Sequence, residues 1–494
     1  MALRLYNTLS GTVEDFRTLA PDEVRMYACG PTVYDFGHIG NFRTFVAVDV
    51  LFRFLCQSGF NVRYVMNITD VDDKIIRNAA RDGVDVREYT KKYEQAFLED
   101  ATALNIERPK LVHATDHIDE MADFIARLET KGIAYKTEDG SYYFRIAKFP
   151  AYGKLSKKDF AGMEDGARVD VDEYEKDNAR DFALWKAPKP GEASWDTKIG
   201  PGRPGWHIEC SVMSMEELGE TFDLHAGGED LIFPHHENEI AQSESLTGKT
   251  FARHWFHARF LLVEGEKMSK SLGNFFTIRD LVLKGHKPSS IRYLLATAPY
   301  RNQLNFTFDG LKAAAISVER LRNFKLRLET GNFPPGSSPE ITQLARDAGS
   351  RMTAALNDDL NTAQAPAAIF EMVRAANAAG DAGSLRKEDA APLLAALMQF
   401  DEIFAVLKDD DAAKMRPVLE WAVAAGRESD ISRELRDIAG SAEISDETIA
   451  QKVAAMDAAR KARKFKESDA IRDELNSAGI IVEITKDGVR WRRK

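Results

Sequence analysis

Cysteine is scarce: Cys29, Cys56 and Cys210 are the three in a chain of 494 residues. So few over such a length argue against a disulfide framework and leave each thiol to packing, metal binding or nucleophilic chemistry in a reducing compartment. Also missing is any run of about 18 apolar residues, so no membrane-spanning helix is expected. The opening MALRLYNTLSGTVEDF carries charge where a signal peptide needs an apolar core, and a cytoplasmic protein is expected. Positive charge is in deficit: 67 Lys and Arg against 78 Asp and Glu give a net −11. Taken alone, that balance argues against a nucleic-acid partner, and any polyanion must be met by a local patch. What is present is ample apolar content, 44%, enough for sizeable cores in what the length suggests are roughly two to four domains.

The stretch the chain is organised around is 26–44, MYACGPTVYDFGHIGNFRT. Apolar Met26, Tyr27 and Ala28 read as a strand running into Cys29. Gly30-Pro31-Thr32 marks a turn, and helical periodicity takes over through Phe45, Val46, Val48, Val50 and Leu51. A second apolar strand, 62–68, follows the helix, and Thr69-Asp70-Val71-Asp72-Asp73-Lys74 opens the next helix. Strand, helix, strand at this spacing implies a parallel sheet with right-handed crossovers, whose carboxyl ends form the ligand crevice.

Residues 113–200 change in texture to a helix, a hairpin-like pair of strands and Lys- and Asp-rich irregular sequence, expected as an insertion between 1–112 and 201–250. Helix-like HIECSVMSMEEL, strand-like FDLHAGG and a further helical stretch at 230–246 belong to the second half. A region at 251–330 carries a loop framed by Gly265 and Gly273. GNFPPGSSP at 331–339 is a linker. Ala-rich amphipathic helices at 340–426, with Leu393, Leu394, Leu397, Met398 and Phe404 at helical spacing, predict a bundle. The last region, 427–494, ends in a helix, strand-like GIIVEI and basic VRWRRK.

Four residues suggest one metal centre: Cys29, Cys210, His235 and Glu239. His235 and Glu239 are four apart, so on a helix they share a face, and thiol, imidazole and carboxylate are all zinc donors. His236, three from Glu239, is an equal rival by spacing. Cys56 is expected in the core. Phosphate-handling candidates are His38 and Asn41 at a helix start, where backbone donors and the dipole attract anions, with Lys267 and Lys270 on the glycine-framed loop. Gly227 and Gly228 with Asp230 would let backbone approach a ribose or adenine.

Together and in order, these pieces resemble a known family. PTVYDFGHIGN at 31–41 and KMSKS at 267–271 look like the two signatures of class I aminoacyl-tRNA synthetases; GWHIECSVM at 205–213 and FDLHAGGEDLIFPHHENEIAQ at 222–242 narrow the resemblance to the cysteinyl-tRNA synthetases. The resemblance implies a Rossmann-type parallel-sheet α/β catalytic domain split by an insertion, a helical bundle and a small α+β anticodon-binding region. It implies that Cys29, Cys210, His235 and Glu239 hold one Zn2+ per chain, favouring His235 over His236. It further implies activation of L-cysteine by ATP with Mg2+ and transfer to the 2′ hydroxyl of the terminal adenosine of the tRNA for cysteine. His38, Asn41, Lys267 and Lys270 would handle the phosphates, and Gly227 and Asp230 would contact the nucleotide. Trp206 is expected to wall the cysteine pocket and Thr69 to meet the substrate's amino end. The basic tail, with Phe465 and Trp491, would meet RNA. A monomer is expected. The rival readings are a related ligase joining cysteine to an amino sugar, which lacks the long C-terminal region, and a catalytically silent zinc-containing RNA binder, which has no need of both phosphate elements.

Overall fold

The computed structural model describes residues 2–158, 181–189, 192–440, 444–485 and 488–493. Much of the Lys- and Asp-rich stretch expected to be irregular, 159–180, lies outside the described residues. A hairpin of β1 (Arg4–Asn7) and β2 (Thr12–Asp15) precedes β3 (Glu23–Ala28), α1 (Ile39–Gln57), β4 (Asn61–Ile68), α2 (Asp73–Asp82), α3 (Val86–Ala103) and β5 (Lys110–His113). After an excursion the chain returns through α5 (Trp206–Leu218), β11 (Phe222–Gly228), α6 (Glu237–Thr247) and β12 (Ala252–Ala258).

The central sheet has the order β12-β11-β3-β4-β5, and every neighbouring pair is parallel. In chain order the strands build outward from β3 to β5, then resume on the other side of β3 with β11. The switch between β3 and β11 opens a crevice at their carboxyl ends. Successive residues of β3 serve opposite faces. Met26 and Ala28 pack in one core with Phe42, Val46 and Val50 of α1, whereas Tyr27 and Cys29 pack in another with Ile208 and Val212 of α5.

The excursion comprises α4 (Ile118–Thr130) and an antiparallel sheet of β6 (Ala134–Lys136), β7 (Tyr142–Phe144), β8 (Phe182–Lys186), β9 (Trp195–Thr197) and β10 (Gly200–Pro204), in the order β6-β7-β8-β10-β9. It is fastened to the first half where Lys186 and Arg203 both reach Asp73 at the start of α2. Beyond β12 come β13 (Leu261–Val263), β14 (Glu266–Lys267), α7 (Ile278–Leu283), α8 (Pro288–Thr297), β15 (Leu304–Phe306) and α9 (Phe308–Thr330). The helices α10 (Pro339–Asn357), α11 (Gln364–Asp381), α12 (Ala390–Phe404), α13 (Asp411–Ala424) and α14 (Arg433–Gly440) follow a segment without regular structure at 331–338. Last come α15 (Asp446–Lys461), α16 (Phe465–Ser477) and the hairpin β16 (Ile480–Thr485) and β17 (Gly488–Arg493), which share a small core of Ile449, Val453, Leu475 and Ile480.

Three local expectations are corrected. The stretch 230–246 is not one helix: Glu229–Leu231 is a 3-10 turn, Ile232–His236 a single wide turn with Phe233 extended (φ −141°, ψ 129°), and α6 begins only at Glu237. Cys56 is exposed rather than in the core, because the buried face near the end of α1 is Leu51, Phe54 and Leu55, and the next residue turns about 100° away from it. Met398 is also on the solvent side of α12, while Leu393, Leu397 and Phe404 are buried.

Candidate functional site

The switch-point crevice is floored by a buried cluster of soft and hard donors. Cys29 follows directly on β3, and its backbone N donates to the Ala226 carbonyl at 3.0 Å, tying the ends of β3 and β11 together. The next residue must be glycine. A Cβ on Gly30 would lie 1.8 Å from the Asn67 carbonyl oxygen, and the Gly30 N–H donates to Asn67 Oδ1 at 2.8 Å. Cys210 comes from the buried face of α5, and His235 and Glu239 come from the wide turn and α6. One ligand atom from each of Cys29, Cys210, His235 and Glu239 lies within 4.8 Å of all the others. The two sulfurs are 3.8 Å apart and unbonded, and His235 Nε2 is 3.0 Å from Glu239 Oε1. Two thiolates about 2.3 Å from a tetrahedral zinc would be separated by about 3.8 Å. The donor set therefore fits zinc in both chemistry and spacing.

Electrostatics point the same way. Burial holds the His235 imidazole well below its ordinary pKa, so it is neutral with a lone pair to offer, and pushes the carboxyl of Glu239 and the thiol of Cys29 well up. A cation at the centre would offset the cost of a desolvated carboxylate. A second, overlapping set, Cys29, His225, His236 and Glu239, meets the same spacing, so distance alone leaves His235 and His236 as rivals. Their surroundings differ. His236 Nε2 is 3.2 Å from Cys29 Sγ, and its Nδ1 is 2.8 Å from His257 Nε2, which continues through His257 Nδ1 to Thr8 Oγ1 at 2.7 Å. His225 Nε2 lies 2.7 Å from Glu239 Oε2 and its ring stacks on Trp255.

Trp206, the first residue of α5, stacks on His235 with ring centroids 4.3 Å apart and remains 37% exposed, so it stands as a wall beside the cluster. The Thr69 hydroxyl is buried and donates to Glu209 Oε2 at 2.9 Å while accepting from Asn67 Nδ2 at 3.2 Å. Glu209, His207, His225, His257 and Tyr27 complete the surroundings and were not singled out from the sequence. Glu209 and His207 sit inside WHIEC and His225 inside FDLHAGG, motifs that were visible without their inner roles being so.

At the start of α1 the capping is reciprocal: Asn41 N donates to His38 Nδ1 at 3.2 Å, and His38 N donates to Asn41 Oδ1 at 3.0 Å. Burial, aided by the Lys270 charge, lowers the His38 pKa. A neutral ring whose Nδ1 accepts must carry its proton on Nε2, so His38 offers an N–H donor. A Cβ on Gly40 would come within 2.9 Å of that ring. Lys267 lies exposed on β14. Lys270 begins a short 3-10 turn capped by Ser269, and its Nζ is 2.9 Å from Asp35 Oδ2. Gly227 and Gly228 end β11, where a Cβ would meet His236 at 2.8 Å or Asp230 at 2.3 Å; Asp230 itself is exposed. At the far end of the chain Phe465 is 57% exposed, whereas Trp491 packs against the small C-terminal core.

Comparison with known proteins agrees with this architecture. Residues 15–316 match the family model for the class I (C) tRNA synthetase catalytic domain, 351–408 that for the DALR domain, and 454–492 that for the cysteinyl-tRNA ligase anticodon binding domain. The chain is 68% identical to the cysteine–tRNA ligase of Koribacter versatilis and 56% identical to that of Solibacter usitatus, each over 100% of both chains. Among solved structures, Mycobacterium tuberculosis methionyl-tRNA synthetase in complex with methionyl-adenylate shares the fold. It has a TM-score of 0.55 at 16% identity, covering 85% of this chain and 94% of that one. The chain belongs to the cysteine–tRNA ligase family of class I aminoacyl-tRNA synthetases.

Proposed function

We propose that the chain activates L-cysteine with ATP and transfers it to the tRNA for cysteine. The observation that carries this reading is the buried cluster of Cys29, Cys210, His235 and Glu239 at the switch point, whose Cys29 lies on the same β3–α1 connection as His38, the histidine that caps α1 and presents an N–H donor. A zinc ion held by those four residues would supply a soft electrophilic centre that takes a thiolate in preference to a hydroxyl, which is the discrimination cysteine needs against serine. A pocket of ordinary side chains separates such isosteres by only about 1 to 3 kcal/mol.

The substrate carboxylate attacks the α-phosphorus of ATP, the bond to the bridging oxygen of pyrophosphate breaks, and cysteinyl adenylate forms. His38 Nε2–H donates to a phosphoryl oxygen. Asn41 holds the ring in that tautomer and orientation. Lys270 exchanges Asp35 for the leaving pyrophosphate, Lys267 adds a second cation, and ATP enters as its magnesium complex. Gly227 gives backbone access to the nucleotide, and Asp230 stands beside it. Trp206 walls the cysteine pocket. Thr69, engaged by Glu209, lines it at the amino end. A ribose hydroxyl of the tRNA terminus then attacks the carbonyl carbon and AMP leaves.

The regions expected from sequence carry these roles with shifted edges: the two halves of the catalytic fold, expected as 1–112 and 201–250, run on to β5 at His113 and β12 at Ala258; the connective insertion, expected as 113–200, keeps β10 to Pro204; 251–330 still bears the KMSKS loop; the bundle, expected as 340–426, extends through α14, whose Leu435 and Ile438 lie in the main core; and the part of 427–494 beyond α14 is the anticodon-binding end. The match of 454–492 supports the last of these and weighs against an amino-sugar ligase. A monomeric cytoplasmic form belongs to the same reading; no described helix is long and apolar enough to cross a membrane.

The test is cysteine-dependent exchange of labelled pyrophosphate into ATP, with serine as competitor, alongside metal analysis. Exchange with cysteine, little with serine and about one zinc per chain are expected. Absence of exchange in metal-loaded protein would overturn the reading.

A further inference from the structure

A cleft of about 250 Å³ is lined by Tyr34 and Asp35, which precede the helix start at His38, by residues of α2 and α3, and by Lys270. One wall is a stripe of α2: Lys74, Arg77 and Arg81 are spaced three and four apart, so they project from one face over two turns, about 10 Å. Like charges at these spacings repel. Arg81 pairs with Asp82, but Lys74 and Arg77 have no ion pair among the described residues, and both are exposed. In a chain of net charge −11, two uncompensated cations flanking a cleft are a local reversal of sign.

The facing wall is aromatic. Tyr34 and Tyr93 are half-buried, and Tyr34 is held by its carbonyl accepting from the buried Tyr89 hydroxyl at 2.7 Å. Lys74 Nζ already lies 4.8 Å over the Tyr34 ring. At the inner end stands the Asp35–Lys270 pair, so the cleft adjoins the phosphate elements. Cations on one side and tyrosine rings on the other match a nucleotide, with phosphate on the first and ribose or base on the second. The cationic stripe is longer than one phosphate needs, which suits a strand better than a free nucleotide.

We propose that this cleft binds the tRNA strand as its 3′ end approaches the active site, with backbone phosphates on Lys74 and Arg77. The inference rests on the tRNA-charging activity proposed above. The full chain carrying Lys74→Gln and Arg77→Gln is compared with wild type in two assays: charging, with the KM for tRNA measured over a salt series, and pyrophosphate exchange, with the KM for ATP. KM for tRNA is expected to rise at least about tenfold. Its logarithmic salt slope should fall by about 1.4, the counterion release of two single-strand phosphate contacts. KM for ATP should stay within twofold, and Arg77→Lys should restore most of the tRNA affinity to the single Arg77→Gln variant. An unchanged KM for tRNA would overturn the proposal, and an equal rise in the KM for ATP would assign the cleft to the free nucleotide. A wild-type chain that exchanges pyrophosphate yet charges no tRNA would remove the activity reading, and this inference with it.

Discussion

Replacing Cys210 by serine tests the centre of the site. Cys210 is 1% exposed and its sulfur lies 3.8 Å from that of Cys29, so the change exchanges sulfur for a slightly smaller oxygen and leaves the packing of α5 nearly intact. The metal-free fold should lose no more than about 1 kcal/mol. Zinc binding should suffer far more, because a serine hydroxyl does not ionise as a thiol does. Changing a group that merely orients a ligand costs 10–100-fold in affinity, and losing a donor should cost at least the upper figure, about 2.7 kcal/mol. Linkage converts this into a measurable gap: in excess zinc the variant should melt with about 2.7 kcal/mol less metal-derived stabilisation than wild type, while the two metal-free proteins melt alike. The assay is thermal melting with and without zinc, supported by metal content after dialysis and by KM for cysteine in pyrophosphate exchange. Unchanged zinc retention would refute the assignment of Cys210. Run on His235→Asn and His236→Asn, the same assay separates the two overlapping donor sets, with the larger loss expected at His235.

Lys270→Ala should lower the rate of pyrophosphate exchange by about 10² to 10³, the scale for losing one preorganised charge contact, with KM for cysteine within about twofold; a loss confined to cysteine affinity would contradict its phosphate role. Removing residues 445–494 should spare exchange and impair charging of tRNA. The cut falls after α14 because Leu435 and Ile438 lie in the main core, while Ile449, Val453, Leu475 and Ile480 form a core of their own; equal loss of both reactions would show the tail to be structural. His254 is 4% exposed, and burial lowers its pKa to about 4. The unfolded chain therefore takes up this proton first, near pH 6.5. The stability His254 contributes is complete above that pH and falls as acid is added, by about 2 kcal/mol at pH 5, levelling off below pH 4. Urea titrations of His254→Asn should show a correspondingly shallower loss between pH 6.5 and 5, and identical slopes would refute the assignment.

The parts legible in the sequence were those written locally. The apolar run at 26–28, the turn at Gly30-Pro31 and the helical periodicity through Phe45, Val46, Val48, Val50 and Leu51 are short-range signals, and β3 and α1 contain the residues they marked. The closeness of Cys29, 181 positions before Cys210, is a product of sheet topology; spacing hinted only at the His235–Glu239 pair, donor chemistry suggested adding the two cysteines, and the resemblance favoured His235 over His236. Glu209, His225 and His257 escaped notice because a buried polar residue is identified by what surrounds it, and their partners Thr69, Glu239 and Thr8 come from the connection between β4 and α2, from α6 and from the N-terminal hairpin connection. The break at Phe233 was legible in principle, because Pro234 follows it and a residue before proline is pushed from helical to extended backbone, but the apolar and polar spacing on either side was read as one helix.

The contact between Lys270 and Asp35 bears on which anions the loop notices. Both side chains are substantially exposed, so the pair is worth no more than about 1 kcal/mol and a triphosphate can displace the carboxylate at little cost. Short of that, the contact opens and closes freely while it keeps the lysine near the start of α1. Any anion can therefore compete with the Asp35 carboxylate, and one carrying several negative charges gains the most from doing so. The weak pair thus parks the ammonium beside the helix start without committing it, so the loop keeps a cation at hand whose release costs an incoming anion little.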